Sequence, residues 1–383
     1  MKRLKQQLNS DHIPVDLLID ILSLLPRKSI DRFRCVWKFW GNILRRPDFT
    51  ELFLTKSSTR PRILFTFKVE GKLFFYSSPQ PENPDDNSTL VATRYHTSFP
   101  EYVPSYRCST VCGLVLFYKA GKRKVSVICN PVTGEFLTLP KVLIKNKTLP
   151  EAKAISRVCL GYDRISKQFK VLCVISSGCE RPNTLQVLTL ESGKLLWRRI
   201  QCEFHFMKIS SIRGEVCING VLYFGARLGL SSVVVCFNVM SEKFGFINFD
   251  KDMKGEDDDS YLHGRLALFN YKGKLGIREA TDYFDEELVL WVLEDAGNHK
   301  WSKQAYELPP LVRHERFVGM TGTGDIVFMP PFPGFFRLKI NCLYFYNLKR
   351  KTVARVNIQG FEEFKDYRTF DTFLGYVENL KFT

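Results

Sequence analysis

The chain of 383 residues has few of the residue patterns that carry catalysis or metal binding. Its 6 histidines (12, 96, 205, 263, 299 and 314) are scattered, with no HExxH and no pair at ligand spacing, which argues against a zinc helix. There is no GxSxG, no GxxxxGK[ST] and no dinucleotide fingerprint; the close glycines of Gly319 to Gly324 (GMTGTG) read as a turn between strands. Asp257, Asp258 and Asp259 stand together in one polar stretch, the pattern of a solvated loop rather than of an acid–base pair. The 11 cysteines form no CxxC, and the closest spacing, Cys108 to Cys112, has no histidine nearby. They read as small buried hydrophobes in a reducing compartment. The opening MKRLKQQLNSD has no apolar core of a signal peptide, and no apolar run of about 18 residues could span a bilayer. The expectation is an intracellular protein of cytoplasm or nucleus, without cofactor, metal or membrane, and without catalytic activity of its own.

Tryptophan is scarce (5) beside 32 Phe and 15 Tyr, and flat rings in that number suit half-buried sheet surfaces. The net charge is +16, and the first 60 residues, with 12 Lys/Arg and 6 Asp/Glu, contribute +6, leaving +10 for the rest. The densest short basic stretch, Lys119 to Lys124 (KAGKRK), reads as a hairpin loop, so no nucleic-acid partner is expected.

The chain changes texture near residue 60. In IPVDLLIDILSLL (13–25), Leu18, Ile21, Leu22 and Leu25 fall at i, i+3, i+4 and i+7, one face of a helix, and Leu17 and Leu24 add apolar surface on a second side. Asp11 is a candidate cap, Pro14 suits a first turn and Pro26 ends the segment. A second helix is expected from an N-cap at Ser29 through Phe33 and Val36, and a third from Trp40 to Leu44, ending before Pro47. Three helices in about 40 residues barely make a private core, so this segment is expected to finish its burial on another protein.

From Arg60 onward, short β-branched and aromatic runs alternate with Gly, Asn, Asp and Pro turns. The runs repeat loosely: Cys129, Leu188, Cys236, Trp291 and Phe345 are 59, 48, 55 and 54 residues apart. A period of that order belongs to propeller blades, small sheets that cannot cover both faces alone and so pack on each other around an axis. The pair RILFTFK–KLFFYSS (62–78) is expected to start the ring and the terminal YRTFDTFLGYVENL (367–380) to add a closing strand to the first blade.

Residues His12 to Phe49 resemble an F-box, carried by Ile13-Pro14, Leu17-Leu18, Ile21-Leu22, Leu25-Pro26-Arg27-Lys28-Ser29, Arg32-Phe33-Arg34, Val36, Lys38, Trp40 and Pro47-x-Phe49. Trp37 stands where a small residue or cysteine is usual, so it either crowds the adaptor or packs inward. The body resembles the F-box-associated domain of the large plant F-box families. The matching pieces are Cys129-Asn130-Pro131-Val132-Thr133-Gly134-Glu135, Gly161-Tyr162-Asp163, Cys217-Ile218-Asn219-Gly220, Cys236-Phe237-Asn238-Val239 and Leu290-Trp291-Val292-Leu293-Glu294-Asp295.

The resemblance implies a mainly β chain with a small α head: a three-helix F-box (10–50) and a β-propeller-like domain (60–383) of about six irregular blades. It further implies the non-catalytic, substrate-recognition subunit of a Skp–cullin–F-box ubiquitin ligase. The head would bind a Skp-type adaptor, and through it cullin, by Ile13, Pro14, Leu17, Leu18, Ile21, Leu22, Leu25, Pro26, Val36 and Trp40, while the body holds a protein target. The other reading is a propeller-like module for a sugar or small ligand with a divergent F-box. Surface tryptophans would support it, whereas Trp197, Trp291 and Trp301 sit in or near strands, where core packing is the default.

Overall fold

The computed structural model describes residues 14–69, 72–95, 107–118, 126–142, 154–176, 183–190, 193–208, 212–253, 266–280, 286–330, 341–361 and 370–381. Ile13 and the basic stretch 119–124 lie outside the described residues.

Four helices open the chain: α1 (Val15–Ser23), α2 (Arg27–Val36), α3 (Lys38–Ile43) and α4 (Pro47–Ser58). The second begins at Arg27 rather than behind Ser29. Its first turn closes on the Pro26 carbonyl, which accepts from Ser29 N at 2.9 Å and Ile30 N at 3.3 Å, and Pro26 holds the extended conformation of a helix cap. Extended backbone at Trp37 (φ −155°, ψ 144°) separates α2 from α3, so the third helix starts at Lys38. Pro47 does not end the helical region. It occupies the first position of α4, where its missing N–H costs nothing, with Asp48 in the same positive first turn.

The remaining chain forms six sheets of four or five strands. Their innermost strands neighbour one another in a closed ring, in the order Arg107–Val111, Ala154–Asp163, Glu215–Ile218, Leu266–Tyr271, Arg316–Met320 and Phe370–Tyr376, the last returning to the first. This is a six-bladed propeller. We number its blades from the one built on Arg62–Val69. The period anchors Cys129, Leu188, Cys236, Trp291 and Phe345 all fall on the third strand of blades 2 to 6.

Each pair of neighbouring blades shares one apolar cluster, six in all among the described residues. A sheet covered on both faces needs apolar residues at consecutive positions, and Leu114–Tyr118 is buried throughout. The ring is closed twice. Phe370–Tyr376 becomes the inner strand of blade 1, antiparallel to Arg62–Val69 with Leu64 opposite Phe373. In addition, Thr89–Val91 leaves blade 1 and lies parallel on Thr352–Gln359 at the outer edge of blade 6.

One rim of the ring collects the turns that follow the first and third strands of each blade. Asparagine or aspartate closes many of them by accepting backbone N–H groups two or three residues on: Asn130 from Val132 at 2.9 Å, Asp163 from Ser166 at 2.9 Å, Asn238 from Ser241 at 2.8 Å, and Asn347 from Arg350 at 2.9 Å. Left-handed residues complete the same turns, Lys167 (φ 56°), Glu242 (φ 59°) and Lys351 (φ 54°) among them.

Candidate functional site

Helix α1 is apolar on two sides, and the fold treats them differently. Leu22 (4% exposed) points inward, with Ile19 and Leu25 packed beside it against the cluster shared by blades 1 and 2. Leu17 (54%), Ile21 (51%) and Leu24, at i, i+4 and i+7, lie on the outward side with Pro14 and Val15. The single stripe expected from Leu18, Ile21, Leu22 and Leu25 is therefore split. Leu22 is core, Leu18 and Leu25 are half-buried, and Ile21 belongs to the outward face. The periodicity could not divide them, because a helix apolar on two sides has no intrinsic inside.

The break between α2 and α3 adds a second outward feature. Val36 (73%) and Trp37 (62%) stand in solvent beside partly exposed Phe39. Their rings continue inward from Trp37 to Phe39 (5.4 Å), Phe39 to Trp40 (5.4 Å) and Trp40 to Phe33 (6.0 Å), the last two pairs edge-on. Trp37 therefore does not pack inward, and half-buried Trp40 is the link between the exposed rings and the core. Pro26 is exposed at the turn between α1 and α2. Half of the exposed large apolar side chains among the described residues fall between Val15 and Phe39. Exposed apolar side chains concentrated in this way make the head a candidate interaction site.

The head is seated on the turn-bearing rim over blades 1 to 3. Phe49 and Phe53 of α4, with Ile30 and Leu44, join Leu64, Phe75, Val115, Phe117 and Leu380 in one cluster. Arg27 donates to the Val132 carbonyl at 2.7 Å, Glu378 N donates to Ser57 Oγ at 2.7 Å, and Lys167 pairs with Glu51 at 2.6 Å. The Arg60 guanidinium holds the Leu24 and Ser23 carbonyls at 2.5 Å and 3.1 Å. Asn130 accepts from its own turn through Oδ1 and donates through Nδ2 to the Asn379 and Lys381 carbonyls at 3.0 and 3.1 Å, which fixes the chain's last described residues beneath blade 2. Sequence reading missed α4, whose aromatic pair makes the seam; the spacing Phe49–Phe53 (i, i+4) was the available signal.

Trp197, Trp291 and Trp301 are buried, and their indole N–H groups donate to the Pro140 carbonyl, the Glu279 carboxylate and the Asn248 carbonyl at 2.7, 2.7 and 2.9 Å. They offer no platform for a sugar. The cysteines among the described residues are free thiols, and burial pushes Cys173 up to about 12. Cys35 on α2 departs from the expected burial and is exposed.

Six blades carrying a small helical head with outward apolar side chains define a class: a propeller with a helical head. Residues 62–377 match the family model of the F-box associated beta propeller domain, and the chain belongs to that family. It is 45% identical over 400 residues to a putative F-box protein of Arabidopsis thaliana, covering 100% of both chains. It is 40% identical over 397 residues to the F-box protein DOR of the same plant, covering 97% of this chain and 94% of DOR. Among solved structures, TolB from Acinetobacter baumannii gives a TM-score of 0.41 at 11% identity, covering 78% of this chain and 67% of TolB. The six-bladed fungal lectin of Aleuria aurantia gives 0.38 at 9% identity, covering 78% and 96%. Likenesses at that level carry nothing on function.

Proposed function

We propose that this F-box protein is the substrate-recognition subunit of a Skp–cullin–F-box ubiquitin ligase. The head binds a Skp-type adaptor, and through it cullin, while the propeller holds a protein target. The observation that carries this reading is the outward face of Pro14, Leu17, Ile21, Pro26, Val36 and Trp37, left exposed on a helical unit whose other side is already buried. The face suits a helix-in-groove contact with a few large anchors. Leu18, Leu25 and Trp40 border it half-buried, and Leu22 acts beneath it by fixing α1 on the propeller. The chain catalyses no step itself: holding a target lysine near the ubiquitin thioester raises the rate by proximity. The protein works inside the cell, in cytoplasm or nucleus, where adaptor and cullin are found.

The test is a pull-down of the purified chain with a plant Skp-type adaptor, beside Leu17→Asp/Ile21→Asp. Both positions are exposed, so the variant should keep its unfolding midpoint while losing adaptor capture by at least about 100-fold, given two charged groups placed in an apolar contact. Capture by the folded variant at the wild-type level would rule out this face.

A further inference from the structure

A propeller blade ends in a strand whose outer edge faces away from the ring, and such an edge presents a row of backbone groups able to take another strand. Most outer strands of this propeller are short: two residues at Thr93–Arg94, three at Phe136–Thr138 and at Arg198–Ile200, five at Phe244–Asn248. The eight-residue strand Thr352–Gln359 of blade 6 is long, and the chain covers it with its own Thr89–Val91. Lys300–Glu307 of blade 5 also has eight residues, and no strand among the described residues lies on its outer side.

The backbone of that edge points outward at alternate residues. Leu308 N donates to the Glu286 carbonyl at 2.7 Å, and the register runs on without a break from Glu307 opposite Glu287 to Ser302 opposite Val292. Hydrogen-bonded and non-bonded pairs alternate along antiparallel strands, so Tyr306, Gln304 and Ser302 turn their N–H and C=O groups into the blade. Lys303, Ala305 and Glu307 turn theirs away from it. The Glu307 carbonyl accepts from the Tyr346 hydroxyl at 3.0 Å and keeps a second lone pair.

The same three residues are exposed and share one sheet face. Glu307 stands directly opposite exposed Glu287, a like-charge pair that costs stability, and neither has a cationic partner among the described residues. The Lys303 ammonium lies over the Trp291 ring at 5.3 Å, with no carboxylate paired to it among the described residues. Ala305, between them, adds only a methyl group. Cation, methyl and anion in that order are complementary to themselves when the strand is reversed. A two-fold axis through Ala305 sets Lys303 of each strand opposite Glu307 of the other, with alanine opposite alanine.

We propose that two copies of this chain pair antiparallel through the outer edges of their blade 5 strands, centred on Ala305. Each Lys303 then meets the Glu307 and Glu287 carboxylates of the other copy, and the outward backbone groups of residues 303, 305 and 307 satisfy one another. Thr89–Val91 shows that an outer edge of this propeller accepts an added strand. Joining the two edges uses up both, so the pair closes as a dimer and does not grow into a fibre.

The test is sedimentation velocity of the purified full chain over a concentration series, with no adaptor present, so its outcome is separate from adaptor capture. A reversible monomer–dimer equilibrium is expected. Lys303→Glu sets glutamate against glutamate twice and should weaken the dimer by at least about tenfold. Adding Glu307→Lys to that variant should bring association back. Ala305→Pro removes an outward N–H that the blade itself does not use, and should abolish the dimer with the unfolding midpoint held. The Ala305 and Glu307 amides should exchange hydrogen more slowly as the dimer forms. The proposal is overturned if the wild type stays monomeric, if Lys303→Glu or Ala305→Pro dimerises as tightly, or if the reversed pair fails to recover. It is also overturned if those amides are protected in a chain that sediments as a monomer, because another part of the same chain would then cover the edge.

Discussion

On the rim that carries the head, consecutive strands join through short turns: Val111 to Leu114, Ile218 to Val221, Tyr271 to Lys274, Met320 to Asp325. On the opposite rim the same blades are joined by longer stretches, from Tyr118 to Val127, Thr138 to Ala154, Asn248 to Leu266 and Met329 to Cys342. The connections from Val69 to Lys72 and from Leu228 to Ser231 are short exceptions there. The short turns depend on side chains that close them and on left-handed residues, so their sequence is constrained by geometry. Loops held on a rigid scaffold are where recognition residues are disproportionately placed. One rim lies under the helical head; the other faces away from it.

Three substitutions can break or sharpen that contrast. The largest effect is expected at the seam: Phe53→Ala empties a fully buried site shared by α4 and blades 1 and 2, and should cost about 3–5 kcal/mol. Urea unfolding should show one transition moving to lower denaturant. A separate early transition of the head would mean the two parts are not one cooperative unit.

Next comes Glu242, on a head-side turn between blades 3 and 4, which takes Lys170 at 2.7 Å and Arg198. Burial pushes its carboxyl up, but the hydrogen bonds and charges of Arg198 and Lys170 outweigh that and hold it below the ordinary range. A depressed folded pKa contributes stability above the unfolded carboxylate pKa, and that contribution is lost as pH falls through the lowered value. Glu242→Gln should therefore cost about 1–2 kcal/mol at neutral pH, kept small by solvent at the rim. The gap from wild type should close as both are titrated below about pH 4. A gap that stays constant in acid would mean that packing, not charge, is at stake.

The smallest effect is expected on the free rim. Leu230, almost wholly exposed at the blade 4 hairpin tip, should tolerate serine within about 0.5 kcal/mol in thermal unfolding. A larger loss would show that this rim, too, is structurally committed.

Much of the fold is legible in the chain. Each third strand falls on the period because every blade must hide two faces, so the run at Cys129 or Trp291 is apolar throughout. The closing strand at 370–376 and the starting pair at 62–78 stand where the sequence pattern puts them. What escapes is non-local. Nothing near Thr89–Val91 announces that it will pair with a strand more than two hundred residues away. The division of α1 into Leu22 within and Leu17 and Ile21 without depends on where α4 seats the head, and Pro47 reads equally as an end or a beginning.

The double closure also sets an order in time. Arg62–Val69 is among the first strands to leave the ribosome, yet its inner neighbour, Phe370–Tyr376, is among the last, and Thr89–Val91 must wait for Thr352–Gln359. Contacts so distant along the chain make folding slow and leave unpaired edges and apolar faces open during synthesis. The head shares this delay, because the residues that brace Ser57 and Asn130 lie between Glu378 and Lys381. A nascent chain thus completes the seam beneath its helical head only once the strands of its propeller have all been made.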